Sequence, residues 1–413
     1  MFFNMPKVLV VSGEPSGDVF AGGLISSLKK LDASVNLDIY AMGGKNCSEA
    51  GAELIADIKE LSVMGFTEVL LKLKTIKKVL NSLSKWIKLN KPDAVILVDF
   101  PSFNFKIAKL ANKLKIPVIY FIPPKIWASR YGRINFIKKY IKFVITIFPF
   151  EQEIYKKEGV ESYYFGNPLY VLNKKDAYGH NTHVKSSVLS EDGETDLEAE
   201  KADCKKLPNP NLNGKYPIIS FLPGSRKTEL KYHSQRIIDS ILRIKSAYKD
   251  AFFIFPFRKE IDFSYFKNVI ESNAAIKNDM YLFTDSIGFA LSSSDLIITA
   301  SGTASLEACF YGKPVIIFYY LNYLTYILAK ILVRVKYAGL INILAGDLIV
   351  PELIESEFTP QNVFKEADKF LKDEEYRKNA LNKRAAVVSA LDAGVNPFDA
   401  AAGLIYDKMI RYA

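Results

Sequence analysis

The chain is predicted to be an α/β protein made of two doubly wound, parallel-sheet halves. Three observations carry this. Short, nearly continuous apolar runs, as expected of strands buried on both faces, alternate with segments of helical periodicity. The alternation stops over residues 172–216 and then resumes. The length, 413 residues, exceeds what one hydrophobic core organises.

In the first half the runs Val8–Val11, Leu37–Met42, Ala94–Asp99, Val118–Ile122 and Phe143–Ile147 read as strands, with Phe20–Leu31 and Phe105–Leu114 as helices between them. Leu172 to Tyr216 is rich in Asn, Lys, Ser, Asp and Glu and reads as a solvated linker or insertion. Strands resume at Pro217–Leu222, Ala251–Phe255, Met280–Phe283, Leu296–Thr299 and Val315–Tyr319. Beyond Pro360 the pattern is helical, over Val363–Leu371, Glu375–Leu391 and Pro397–Met409. The expected divisions are 1–171, 172–216, 217–360 and 361–413, the last packing back across the domains. Doubly wound halves bind ligands outside the carboxyl ends of their strands, so a cleft faced by both sheets is expected.

Composition narrows the chemistry. Apolar residues make up 49% and charged residues 24%, a globular balance. Three dispersed cysteines exclude a disulfide framework or zinc ribbon. Three histidines, His180, His183 and His233, lack metal-ligand spacing, so no metal is expected. The formal charge of +10 points to an anionic partner. Met1–Val11 has no signal-peptide pattern and reads as a first strand. Val315–Val333 is the stretch to weigh as a membrane span, but Asn322, Thr325 and Lys330 interrupt it, and it reads as a strand followed by a separate helix. A cytoplasmic protein is expected.

Four strand-to-helix turns can carry chemistry. Gly13-Glu14-Pro15-Ser16-Gly17-Asp18 follows the first strand; it is neither a dinucleotide fingerprint nor a P-loop, and a plain turn is an equal reading. Asp99-Phe100-Pro101-Ser102-Phe103-Asn104 puts a carboxylate where it can take a proton or bind a hydroxyl, or else cap a helix. Leu222-Pro223-Gly224-Ser225-Arg226 pairs a tight turn with a guanidinium fork suited to phosphate. Ser301-Gly302-Thr303-Ala304 is a small-residue loop entering a helix, a seat for a diphosphate, with Glu307 one turn on to meet ribose hydroxyls.

A fifth feature is basic. Lys72, Lys74, Lys77, Lys78, Lys85, Lys88 and Lys91 surround an apolar stripe of Val69, Leu73, Ile76, Leu80, Leu83 and Ile87. A helix lying on anionic lipid and a solvated lysine face over an ordinary core fit equally. Tyr323 to Tyr337, with Lys330, Arg334 and Lys336, favours the membrane. No nucleic-acid-binding module is recognisable.

Together these motifs resemble the lipid A disaccharide synthases, inverting glycosyltransferases of the GT-B fold with two Rossmann-like domains facing a cleft. The resemblance also covers Leu61-Ser62-Val63-Met64-Gly65 with Glu68-Val69-Leu70, Pro124, Trp127-Ala128 and Arg130, Phe148-Pro149-Phe150-Glu151, and Asn342 with Leu344-Ala345-Gly346. It implies that UDP-2,3-diacylglucosamine donates its sugar to 2,3-diacylglucosamine 1-phosphate (lipid X), giving the β-1,6 disaccharide 1-phosphate and UDP, without metal or cofactor. The first domain then lies on the acceptor side and the second binds the UDP-sugar. Asp99 is implied as general base. Gly224, Ser225, Arg226, Ser301, Gly302, Thr303, Glu307 and Asn342 are implied at the UDP and diphosphate, and Gly13, Glu14, Ser16, Met64 and Asn104 at substrate. The implied location is the cytoplasmic face of the inner membrane, bound peripherally, and a homodimer stays open. The chain departs from the family pattern at Ser102, where a second acid is usual, at Ser129, where Trp is frequent, and at Gly166-Asn167-Pro168, where the family has G-H-P. The alternatives are another UDP-sugar GT-B enzyme, such as a UDP-N-acetylglucosamine epimerase, and a silent nucleotide- or lipid-binding protein of the membrane surface.

Overall fold

The computed structural model describes residues 5–31, 37–61, 69–179, 217–257, 262–276, 280–321 and 335–410. The chain divides into two compact units, Met1–Pro168 with Leu391–Ala413, and Leu169–Ala390.

Among the described residues the first unit holds a seven-stranded sheet in the order β3-β2-β1-β4-β5-β6-β7. The strands are β1 (Lys7–Val11), β2 (Asp38–Gly43), β3 (Glu53–Asp57), β4 (Ala94–Val98), β5 (Val118–Phe121), β6 (Phe143–Thr146) and β7 (Ser162–Tyr164), all parallel. Every residue of β4 is buried, which is why its sequence, Ala-Val-Ile-Leu-Val, is wholly apolar. One face of the sheet, presenting Leu9, Val11, Val95 and Leu97, shares a core with three helices. These are α3 (Val69–Asn90), α4 (Pro101–Lys113) and α5 (Arg133–Tyr140). Helix α1 (Pro15–Leu31) packs against α2 (Lys45–Glu49) and against the last helix, Pro397–Ile405. The Ser27 hydroxyl donates to the Asp399 carboxylate at 2.6 Å, tying the chain's end to its beginning.

The second unit holds a six-stranded sheet in the order β10-β9-β8-β11-β12-β13. Its strands are β8 (Ile218–Leu222), β9 (Phe252–Pro256), β10 (Tyr281–Thr284), β11 (Leu296–Ala300), β12 (Val315–Tyr319) and β13 (Glu352–Ile354), again all parallel. The long helix Lys227–Ala247 and the helix Pro360–Lys372 cover one face, with Ile237, Ile241, Val363 and Phe370 packed on Phe221 and Phe253.

Three differences from the sequence reading have a common cause. Strands β3, β7 and β13 are edges, half-buried or exposed at most positions, so they lack the apolar run that marks a central strand. The polar segment expected from residue 172 starts as helix, since Pro168–Gly179 is helical; residues 180–216, with His180 and His183, lie outside the described residues. The helices after Pro360 are shared out between the units: Pro360–Lys372 and Glu374–Ser389 belong to the second, Pro397–Ile405 to the first. Val315–Tyr319 is the expected buried strand, and residues 322–334, which include most of the basic stretch 323–337, lie outside the described residues. Among the described residues no helix is long and apolar enough to cross a membrane.

Candidate functional site

Each sheet reverses its winding direction once, and the predicted motifs flank both reversals. In the first unit the switch lies between β1 and β4, which are followed by the Gly13 turn and the Asp99 turn. In the second it lies between β8 and β11, which are followed by the Gly224 turn and the Ser301 loop. Loops at such a switch diverge to opposite faces and leave an opening at the strands' carboxyl ends.

Asp99 is not the last strand residue but the first beyond it. It and Phe100 both adopt the left-handed conformation, φ 47° and 46°, which side-chain-bearing residues seldom enter. Two buried side chains fix this turn: the Tyr120 hydroxyl donates to the Asp99 carbonyl at 2.6 Å and the Asn104 amide donates to the same oxygen at 2.7 Å. Gly13 is required by packing, because a Cβ there would overlap the Phe100 ring. Burial pushes the Asp99 carboxyl above the usual aspartate range, while the Lys125 ammonium and the Phe100 amide draw it partly back. A carboxylate so placed is a more competent base than a solvated one. Glu14 and Ser16 are exposed at the start of α1. Asp18 is buried, and its carboxylate accepts from the amides of Gly44 and Asn46, bracing the turn against α2.

Asn104, expected at substrate, is fully buried, and its amide nitrogen also reaches the carbonyls of Val11 and Val98, so it braces the backbone of the turn. Met64 lies outside the described residues.

Sequence reasoning named Trp127 and Glu151 without a role and passed over Lys125. Trp127 Nε1 donates to Glu151 at 2.8 Å, and burial pushes the Glu151 carboxyl up to about 7. Lys125 acts electrostatically on both Glu151 and Asp99, and its ammonium lies 5.8 Å from the Phe148 ring centre.

In the second unit Gly224 has φ 113°, and a Cβ on it would fall 2.6 Å from Glu229 Oε2. Glu229 organises the turn. Its Oε2 accepts from the amides of Ser225 at 3.0 Å and Arg226 at 3.2 Å, and its Oε1 accepts from the Arg226 guanidinium at 3.0 Å and the Tyr319 hydroxyl at 2.9 Å. Glutamate at the third position of a helix, reaching back to its first amides, is a capping signal that could have marked it in the sequence. Ser225 and Arg226 stay exposed, and Arg226, Thr228, Glu229, Tyr232, Tyr319, Tyr320 and Leu321 line a depression of about 360 Å³. Gly302, φ 151°, and Thr303 are exposed on the neighbouring loop, and the Ser301 hydroxyl donates to the Ala338 carbonyl at 2.8 Å.

Asn342 and Glu307, both expected at the nucleotide, lie below the surface. Asn342 is fully buried with its amide fully engaged: Nδ2 donates to the Val350 carbonyl and to Glu352 Oε1, and Oδ1 accepts from the amides of Ile349 and Val350. Glu352 also accepts from the amides of Ala338 and Gly339, so Asn342 steadies the backbone that Ser301 touches. Glu307 is buried as well.

The family described as lipid-A-disaccharide synthetase matches this chain over residues 8–405. The chain belongs to that family. It is 31% identical to a lipid-A-disaccharide synthase of Coxiella burnetii (strain RSA 331 / Henzerling II) over 94% of this chain and 95% of that protein. It is 34% identical to lipid-A-disaccharide synthase 1 of Legionella pneumophila subsp. pneumophila (strain Philadelphia 1), covering 94% of each. As a member of this family the chain is a glycosyltransferase of lipid A biosynthesis. Its fold is shared with a Neisseria meningitidis UDP-GlcNAc 2-epimerase, TM-score 0.62 at 15% identity over 98% of this chain and all of that one. It is shared as well with the glycosyltransferase of kitacinnamycin, TM-score 0.61 at 11% identity over 98% and 100%. These neighbours identify a GT-B architecture.

Proposed function

We propose that the chain transfers the diacylglucosamine of UDP-2,3-diacylglucosamine to the 6-hydroxyl of 2,3-diacylglucosamine 1-phosphate. The acceptor oxygen attacks the anomeric carbon from the face opposite UDP. The new C–O bond forms as the bond to UDP breaks, UDP leaves with the electron pair, and the hydroxyl proton passes to the Asp99 carboxylate. The observation carrying this assignment is the clamped left-handed turn that holds Asp99 at the switch point of its sheet. A positioned base contributes about 10²–10⁴-fold. Arg226 and the amides around Gly302 and Thr303 take up charge on the departing diphosphate. Glu229, Asn342 and Asn104 hold these groups in place.

The basic face of α3 supports a membrane-surface role on the cytoplasmic side. From Lys74 onward Val79, Leu83 and Ile87 are buried, while Lys74, Lys77, Lys78, Lys85 and Lys88 are exposed. This face meets anionic headgroups through charge, and vesicle flotation should weaken in Lys77→Glu with Lys78→Glu.

The deciding assay follows UDP release and disaccharide formation together, in detergent, with both acylated substrates. Equal yields support the transfer. UDP without disaccharide points to hydrolysis or another acceptor, and no turnover beside an active control overturns the assignment.

A further inference from the structure

The loop that leaves β5 brings three cations together, Lys125, Arg130 and Arg133. It is bolted to the helix Pro149–Lys157 and the residue that follows that helix. The Tyr155 hydroxyl donates to the Pro124 carbonyl at 2.8 Å, Trp127 Nε1 donates to Glu151 at 2.8 Å, and the Tyr131 hydroxyl donates to Glu158 at 2.7 Å. Ile126 is fully buried between the first two anchors. Lys125 and Arg133 are half-buried and Arg130 is exposed, so three positive side chains stand on a fixed backbone.

Their charges have no counter-ion in the fold. Among the described residues none of the three forms an ion pair. The neighbouring acids are taken by other partners: Glu151 accepts from Trp127, and Glu158 accepts from Tyr131 and pairs with Lys138. Arg130 works against its neighbour. Burial, and then the positive Arg130, loosen the hold of Arg133 on its proton, with Tyr120 and Tyr155 opposing. Like charges gathered on a rigid loop repel until an anion joins them, and two guanidinium forks beside an ammonium suit a phosphate monoester.

The cluster also borders the Asp99 turn. Strands β4 and β5 are neighbours, with Val98 opposite Phe121, so the Asp99 turn and the loop carrying Lys125 leave the sheet side by side. Lys125 acts on the Asp99 carboxyl, and Arg133 acts on Tyr120, whose hydroxyl clamps the Asp99 carbonyl. We propose that Lys125, Arg130 and Arg133 form a subsite for the 1-phosphate of the acceptor. This rests on the transfer reading above and names the acceptor group that the first unit recognises. With the 6-hydroxyl at Asp99, the phosphate on C1 stands across the same pyranose ring, near the base but apart from it. The donor's diphosphate has its own cation, Arg226, in the second unit.

The test compares kcat/KM for the acylated acceptor with and without its 1-phosphate, in detergent, with UDP-2,3-diacylglucosamine as donor. The native chain should prefer the phosphorylated acceptor by about 10²-fold. Lys125→Met and Arg130→Met should each cut that preference by about tenfold, whatever loss the two acceptors share. Lys125→Arg keeps the charge and should retain most of the preference. Taking the ratio removes effects on folding or on Asp99, which strike both acceptors alike. Parallel losses that leave the ratio native overturn the subsite and leave the cations a part in holding the loop. So does a native ratio in variants that no longer float with anionic vesicles, which assigns the cluster to lipid headgroups. If the native chain transfers to both acceptors equally well, the transfer reading stands and the subsite falls. If it transfers to neither beside an active control, the transfer reading falls and takes the subsite with it.

Discussion

At the carboxyl edge the motif-bearing turns of the two units bend the chain by different means. In the first unit the residues leaving β4 and β5 are left-handed without being glycine: Asp99, Phe100 and Ile122, with φ 47°, 46° and 62°. In the second the turns leaving β8 and β11 use Gly224 and Gly302, with φ 113° and 151°. A side-chain-bearing residue in such a conformation costs on the order of 1–3 kcal/mol and persists only where its surroundings over-determine it. Tyr120 and Asn104, both bonded to the Asp99 carbonyl, supply that constraint. At Asp99 the fold accepts strain and clamps it. At Gly224, where Glu229 holds the amides that follow, glycine removes both the side chain and the strain.

Substitutions that change one edge at a time sharpen this comparison. The largest effect should come from Asp99→Asn, which removes the proposed base while keeping its size and should lower kcat by about 10²–10⁴-fold. In the unaltered chain kcat/KM should rise with pH through a value above the ordinary aspartate range, because only the deprotonated form accepts a proton and burial raises its pKa; Asp99→Asn should lose that limb. Next, Arg226→Ala should reduce kcat/KM for the donor by about 10²-fold, measured at saturating acceptor. Third, Tyr120→Phe frees one bond on the Asp99 carbonyl and should lower kcat by about tenfold, equivalent to roughly 1.4 kcal/mol. A Tyr120→Phe variant with native kcat would show that Asn104 alone holds the turn.

Gly302→Ala should act more weakly, by about 1 kcal/mol in donor affinity or stability, since only φ opposes it and no heavy atom lies near the added Cβ. Last is a pH effect on stability. Glu151 titrates near 4.5 when unfolded and is raised to about 7 in the fold, so the folded chain holds the extra proton between these values and stability falls as pH rises through them. Glu151→Gln should remove that slope, which denaturant midpoints at several pH values would show.

Central strands were legible because burial on both faces writes an unbroken apolar run, as in Ala94–Val98. The edge strands were not, since β3 reads Glu-Leu-Ile-Ala-Asp and exposes much of its length. The four turns and the order of their residues were readable, and with them the family. The duties of single polar residues were less so. Asn104 and Asn342 stand near the starts of helices Pro101–Lys113 and Leu340–Ala345, and an amide side chain serves a ligand or a carbonyl equally well, so their backbone bonds could not be read from the sequence. Tyr120 lay hidden in an apolar strand, and His233 was weighed only as a metal ligand. The partners of both come from segments distant in the chain, Asp99 for one and Tyr320 for the other.

The bond from Ser27 to Asp399 joins residues 372 positions apart. A ribosome makes α1 early, but the helix Pro397–Ile405 that packs on it leaves the exit tunnel only after the whole second unit. The second unit can therefore complete its core during synthesis, while the first must wait with one face of α1 uncovered. Early termination of translation would strike the domain made first, and a chaperone surveying the nascent chain would find its exposed apolar surface there.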